Sequence, residues 1–340
     1  MAKIGEPADD RSRSRSPRSR QASDEKMHDW KAEFTQCTTV KSFVENIGNV
    51  VDSAHFKIVH EPEFQGMKTQ TLNANQTVMV RGHLRATVKG VSPGENKEFC
   101  IRVSQLQTCL NNAEHSQFLT LSQLMGHSML CVHIYEPEVN SGQANWLLPT
   151  LHEEPVAFEI DKMEYTLVVE INMSSLKKVI RTAKDHKADS LQIQVYEPRS
   201  DAQEGIAGAQ EARKAQRKTW VIFEYRSETG AHGQYPYVSH TEELVDNGQH
   251  FIQIIDSTDF TGSHQDPCPE TRDGLKCTYK GTFNTEQLSK FVRGVERHAA
   301  RLHLKQGHPL ILRFALGDEE SEFVEFILAP KDTDNDELPA

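Results

Sequence analysis

The sequence predicts an α+β chain of two similar domains, each with two helices laid on one side of antiparallel sheet. Two observations carry this. TTVKSFVENIGNVVDSAHFKIVHEP (38–62) returns as SSLKKVIRTAKDHKADSLQIQVYEP (174–198), at the same length, opening on a hydroxyl pair and closing on Glu-Pro. Its apolar places return too: Val40 with Leu176, Phe43 with Val179, Val44 with Ile180, Ile47 with Ala183. A second pair, SQLQTCLNNAEHSQFLTLSQLMGHSMLCVHI (104–134) and EQLSKFVRGVERHAARLHLKQGHPLILRF (286–314), matches with a short gap. Each gives a helix, a strand ending in L-x-L, a Gly-His turn and a second strand. The order is helix, strands, helix, strands, and then all of it again.

Taken in order, the chain opens on a tail at 1–28 whose segment RSRSRSPRSR (11–20) has no apolar residue to bury and reads as disordered. It is either a nuclear-import signal, a phosphorylatable Arg-Ser tract or a flexible extension. From 38 to 52 the apolar positions follow a helical period, with Thr38 or Thr39 as N-cap. His55–Val59 reads as a strand, ended by Glu-Pro. In the second copy Ser174 is the expected cap and Leu191–Tyr196 the strand. The joint between domains falls at 139–160, within a stretch holding six acidic residues and no Lys or Arg from Glu136 to Asp161. Its apolar knot Trp146-Leu147-Leu148-Pro149 cannot be helical throughout because of the proline. Clamping these boundaries gives a first domain at 29–138 and a second at 161–331. The second carries a polar surface insertion at 199–218, before the strand Thr219–Tyr225, and an acidic tail follows at 332–340.

Length and composition agree. At 340 residues, with 37% hydrophobic and 26% charged residues, the chain can bury two cores. No apolar run approaches the roughly 18–20 residues of a membrane span, and no signal peptide opens the chain, so an intracellular protein is expected. Six cysteines (Cys37, Cys100, Cys109, Cys131, Cys268, Cys277) without CxxC spacing read as free thiols, with Cys268 and Cys277 a minor metal-binding alternative.

A net charge of −11 argues against a protein that simply coats nucleic acid, so the distribution of charge decides. On a helix running from 285 to 301, Leu288, Phe291, Val292, Val295 and Ala299 share one face. Lys290, Arg293, Arg297 and Arg301 share the other, joined only by Glu286 in the first turn. In the other repeat Lys177, Arg181 and Lys184 form a stripe, with Lys178 adjacent. Such one-signed stripes suit phosphate contacts, which position a protein without reading sequence. The first half is poor by comparison: Lys41 is offset by Glu45, and 104–113 has no basic residue. There is no Gly-rich phosphate loop, no GxSxG, no HExxH and no paired-carboxylate nuclease pattern, so no enzyme, metal or cofactor is expected.

The order of these features resembles the proliferating cell nuclear antigen family of DNA sliding clamps, from about Trp30 to Lys331. WKAEF (30–34) resembles the opening strand, VKSFVENIGNVVDSAHFKI (40–58) the first helix and its strand, and EYTLVVEINMSSLKKVI (164–180) the start of the second domain. The most specific match is GHPLILRF (307–314) followed by FILAPK (326–331). The resemblance implies a homotrimeric ring of six domains around duplex DNA in the nucleus. It would be set by a clamp loader and hold DNA polymerase and repair proteins in place. It implies DNA contact through Lys41, Lys177, Lys178, Arg181, Lys184, Lys290, Arg293 and Arg297. Partner peptides would dock at Leu72, Trp146, Leu147, Leu148, Pro309, Ile327, Leu328, Ala329 and Pro330. Subunits would close by pairing Met129–Tyr135 (Met129, Cys131, His133, Tyr135) with Trp220–Tyr225 (Trp220, Ile222, Glu224), two strands expected at sheet edges.

The departures are the missing lysines of the first domain, the linker sequence, the insertion and the tail. They leave a checkpoint-type clamp subunit working in a heteromeric ring as a second reading. An Arg-Ser adaptor of RNA processing is a third, from another class, and a metal-dependent nuclease a fourth.

Overall fold

The computed structural model describes residues 28–137, 144–156, 165–198, 219–254 and 275–331, except 228, 240–243, 247–248, 294, 296–298 and 318–320. The Arg-Ser segment, the 199–218 insertion, Cys268, Arg297 and the acidic end therefore lie outside the described residues.

The first half runs β1 (His28–Phe34), α1 (Cys37–Gly48), β2 (Ser53–His60), β3 (Gln65–Leu72), β4 (Val78–Arg85), β5 (Thr87–Lys89), β6 (Asn96–Arg102), α2 (Val103–Leu110), β7 (Phe118–Leu124), β8 (Met129–Tyr135) and β9 (Ala144–Pro149). The second half repeats it: β10 (Leu167–Asn172), α3 (Met173–Asp185), β11 (Ser190–Pro198), β12 (Trp220–Arg226), β13 (His232–Val238), β14 (Leu244–Asp246), β15 (Gln249–Ile254), β16 (Leu275–Asn284), α4 (Thr285–Phe291), β17 (Ala299–Leu304), β18 (Leu310–Ala315) and β19 (Phe323–Leu328). The sheets repeat as the sequence does. Order β5-β1-β7-β8-β9 recurs as β15-β10-β17-β18-β19, and β6-β2-β3-β4 recurs as β16-β11-β12-β13. One difference is that β5 runs antiparallel to β1 whereas β15 runs parallel to β10.

The halves are fused by backbone. Strand β19 pairs antiparallel with β4, from Phe323 opposite His83 to Leu328 opposite Val78, making one ten-stranded sheet. Helix α1 lies directly on this joint: a Cβ on Gly82 would come 2.3 Å from the Phe43 ring, so only glycine lets the helix settle there. The predicted helix positions Val40, Phe43, Val44, Ile47, Leu176, Val179, Ile180 and Ala183 are all buried in the main core. Packed in the same cluster are Phe56, Ile58, Ile193, Phe223, Phe291 and Phe326, so helices and sheets of both halves share one continuous apolar layer.

Five expectations are corrected. The helix after Asn284 ends at Phe291, turns at 292–293, and Ala299 and Arg301 belong to strand β17. Arg301 consequently leaves the basic stripe and bonds Glu170 Oε2 at 3.0 Å across β10 and β17. The knot Trp146-Leu147-Leu148-Pro149 is strand rather than linker, and joins β8 as the outermost strand of the first sheet. The supposed edges Met129–Tyr135 and Trp220–Tyr225 are interior, flanked by β7 and β9 and by β11 and β13 respectively. The caps also move: Asn172 Oδ1 accepts from the Ser174 N–H (2.8 Å) and Asn284 Oδ1 from Gln287 N–H (3.0 Å), while Gln36 precedes α1 without a side-chain cap bond.

The repeat itself slips once. Helix α3 has 13 residues against 12 in α1, so the strand after it is shifted by one. The inward residues Ala54, Phe56 and Ile58 correspond to Leu191, Ile193 and Val195, not to the ungapped partners Ser190, Gln192 and Gln194.

Candidate functional site

The four helices of the described residues form one layer. Gly48, at the end of α1, meets Gln107 and Val103 of α2. Asn49 Nδ2, just beyond α1, donates to Arg293 O, just beyond α4, at 2.8 Å. Lys177 of α3 donates to Val295 O, and Lys184 Nζ to Ser289 Oγ of α4 at 3.4 Å. The order is thus α2, α1, α4, α3, crossing from one half to the other.

Charge across this layer is lopsided. On the second half, Lys178, Arg181, Lys184 and Arg293 are exposed, and Lys177 and Lys290 half-buried. Arg181 faces Asp185 at 3.8 Å and Lys290 faces Glu286 at 3.8 Å, both one turn apart and both surface pairs that cost little to break. On the first half Lys41 Nζ donates to Asn111 O at 2.7 Å, Glu45 is exposed beside it, and α2 shows Ser104, Gln105, Gln107 and Thr108. The structure therefore brings Lys177, Lys178, Arg181, Lys184, Lys290 and Arg293 onto one surface, with Lys41 apart. Arg297 falls outside the described residues.

Two strand edges form a second feature. Strand β19 is buried along its whole length, and β4 at most of its positions, because each has a partner on both sides. Their counterparts in the repeat do not: β13 has no buried residue, and β9 only Leu148. Among the described residues these are two open edges of matched kind. Beside β13, the carboxylate of Glu224 is buried, which alone would push its pKa up. Hydrogen bonds from Arg226, His232 and Gln234 outweigh that and hold it below the usual range.

The third feature is a small apolar cluster on the face of the ten-stranded sheet away from the helices. Met79, Tyr165, Ile311 and Ile327 are buried together with Leu72 half-buried against them, and the Tyr165 hydroxyl donates to Pro309 O at 2.9 Å. Leu72, Pro309 and Ile327 are thus brought together, with Ala329 exposed and Pro330 half-buried nearby in sequence. Leu328 and Leu148 are core residues and Trp146 packs on that core, so the docking role expected of these three is not supported. Of the knot, Leu147 (57% exposed) and Pro149 face solvent. Sequence reading missed Tyr165, Met79 and Ile311. The signal for Tyr165 was its place immediately before the first strand of the second half.

The chain after β9 crosses the same outer face. Glu153 accepts from the Ser53 hydroxyl at 2.8 Å and the Cys100 thiol at 3.4 Å, and Gln70 Nε2 donates to Val156 O at 3.0 Å. Burial, with Glu153 adding to it, pushes the Cys100 thiol up to about 12, so this cysteine is a structural neutral group.

No protein-family model matches the chain, and no curated protein matches it in sequence. In structure it is similar to the proliferating cellular nuclear antigen of Entamoeba histolytica, with a TM-score of 0.63 at 13% identity, over 90% of this chain and 100% of that one. The chain has the fold of that antigen, and at such identity the likeness is one of fold.

Proposed function

We propose that the chain is a subunit of a DNA sliding clamp: a non-enzymatic ring, of three copies and six domains, that holds replication proteins on duplex DNA in the nucleus. The observation that carries this is the internal joint. The core row Ala32, Leu121, Val132, Trp146 across the first sheet corresponds to Val169, Leu302, Leu312, Phe326 across its repeat. Likewise Phe56, Thr69, Gly82 corresponds to Ile193, Phe223, Tyr235. Within the chain, Phe326 lies opposite Val80 and Val324 opposite Gly82. Repeating that joint between copies sets Ala144 opposite Tyr235, Asn145 opposite Gln234 and Trp146 opposite Gly233. The open edges β9 and β13 are then the two ends of one contact, and a chain of such contacts closes into a ring. Closure also removes two edges that would otherwise invite aggregation.

In that ring the helix layer lines the hole, and the cations of α3 and α4 meet phosphates. Such contacts carry no base readout and let a ring slide. A checkpoint-type subunit in a ring of unlike chains is the second reading; the lopsided charge of the helix layer favours it. A short apolar peptide of a partner would seat over half-buried Leu72, with the buried Tyr165, Ile311 and Ile327 forming the floor beneath it. Replacing Tyr165 by Ala removes that floor and lowers the affinity for a polymerase-tail peptide about tenfold. Unchanged affinity would remove this site from the account.

Clamp action is tested by loading the protein with its loader on nicked circular plasmid and then linearising the plasmid. A topological ring stays on the circle at moderate salt and leaves once ends are cut. Equal retention on circular and linear DNA would mean ordinary surface binding.

A further inference from the structure

We propose that Asn49 and Lys177 are positioning residues for Arg293: they hold the turn after α4 from its two sides, so that this arginine is set to meet the DNA backbone. The proposal rests on the sliding-clamp reading above. Lys177 then acts through the turn and does not itself touch phosphate.

The first observation is a device that the repeat uses twice. Lys41 and Lys177 hold the same place in the two copies, each one residue after the matched pair Val40 and Leu176. Lys41 Nζ donates to Asn111 O at 2.7 Å, and Asn111 is the residue just beyond α2. Lys177 Nζ donates to Val295 O, four residues past the end of α4. In each half, a lysine on the first helix ties down the chain as it leaves the second. Carbonyls at a helix end lack partners within the helix and gather partial negative charge, so an ammonium group suits them. Lys41 is the sole basic residue of α1 and α2, so this bond does not depend on a basic surface around it.

The second observation is how the turn after α4 is pinned. Val292 and Val295 lie in the main core, while Arg293 between them is exposed. The N–H groups of Val292 and Arg293 donate back to Leu288 O and Lys290 O, each at 3.3 Å. Asn49 Nδ2, reaching across from the first half, donates to Arg293 O at 2.8 Å. The backbone of Arg293 is therefore held at its own carbonyl by the end of α1, and two residues on by α3. An arginine whose backbone is already fixed loses less freedom on binding than one on a loose loop.

The third observation is a division among the cations of α3. Lys177 and Lys184 stand two turns apart on one side of the helix, and both reach toward α4, Lys184 through Ser289 Oγ at 3.4 Å. Lys178 and Arg181 are exposed farther round the helix. The stripe read from the sequence thus splits into a pair that braces α4 and a pair that faces solvent.

The test exploits the fact that Asn49 carries no charge. The salt slope of retention on circular plasmid is measured from about 50 to 200 mM salt for the full chain, for Asn49→Ala, Lys177→Gln and Arg293→Gln, and for each of the first two combined with Arg293→Gln. Each phosphate contact contributes about 0.9 to the slope, so Arg293→Gln should lower it by about 0.9 per chain. We expect Asn49→Ala and Lys177→Gln each to lower it by about half of that or more, and neither to lower it further once residue 293 is Gln. An unchanged slope in Asn49→Ala overturns the proposal. So does a further fall of about 0.9 when Lys177→Gln is added to Arg293→Gln, which would make Lys177 a phosphate contact in its own right. Both of those outcomes leave the clamp reading standing, provided that linearisation still releases the full chain. A full chain that linearisation does not release removes the clamp reading, and this proposal with it.

Discussion

Lys178 and Arg181 stand fully in solvent on α3, and neither holds the fold: Arg181 makes one exposed ion pair with Asp185, worth a few tenths of a kcal/mol. Reversing both to Glu should leave the unfolding midpoint nearly unchanged while lowering the salt slope of DNA retention by about 2 per chain. Lys41→Glu, on the poor half, should lower it by less than 1. An unchanged slope in the double variant contradicts the pore assignment. At this scale the sequence was informative where charge of one sign recurred at helical spacing, as in Lys177, Arg181 and Lys184. It misled at Arg301, because the helical period was continued through the turn at 292–293 and past Gly294, the residue type that commonly ends a helix. Tyr165 was missed for a different reason. Its burial depends on Met79 and Ile327 being brought beside it by the pairing of β4 with β19, a contact between residues far apart in the chain.

The elements themselves were largely legible, because period and terminators act locally: both repeat helices and the strands after them form, although the first helix ends at Gly48 rather than running on to 52. Which strand forms an edge was not. That depends on how many strands follow, and β9 was read as part of a linker because it lies in an acidic stretch without Lys or Arg and its proline ruled out a helix. A proline at the end of an outer strand removes no ladder bond that the sheet needs, so β9 tolerates it. β13 holds Pro236 within its length, which is also a position that outer strands accept. The single-residue slip after α3 shows the same limit: an ungapped repeat matches the helix and reverses the strand. The corrected register makes a sharp prediction. Cysteines at Asn145 and Gln234, placed directly opposite across two copies, have Cβ atoms about 4.5–5.5 Å apart, close to what a disulfide spans. Oxidation should give covalent dimers and trimers on a non-reducing gel, absent from either single variant. A double variant that stays monomeric under oxidation contradicts the proposed joint.

At the scale of the whole molecule, the proposed ring would account together for the duplicated module, the fused ten-stranded sheet and the open edges. A ring built from repeated domains needs one kind of joint used over and over, inside chains and between them. The chain has made that joint once, at β4 and β19, and kept the parts for the next at β9 and β13. On the proposed reading, the acid excess elsewhere would keep the outer surface from competing with the helix layer for DNA. The mass in solution of the purified full chain, by light scattering across a concentration series at moderate salt, tests this most directly. The account predicts a species of three times 38.5 kDa, about 115 kDa. A single species at 38.5 kDa at every concentration would contradict it and leave the two open edges to strands of unlike chains.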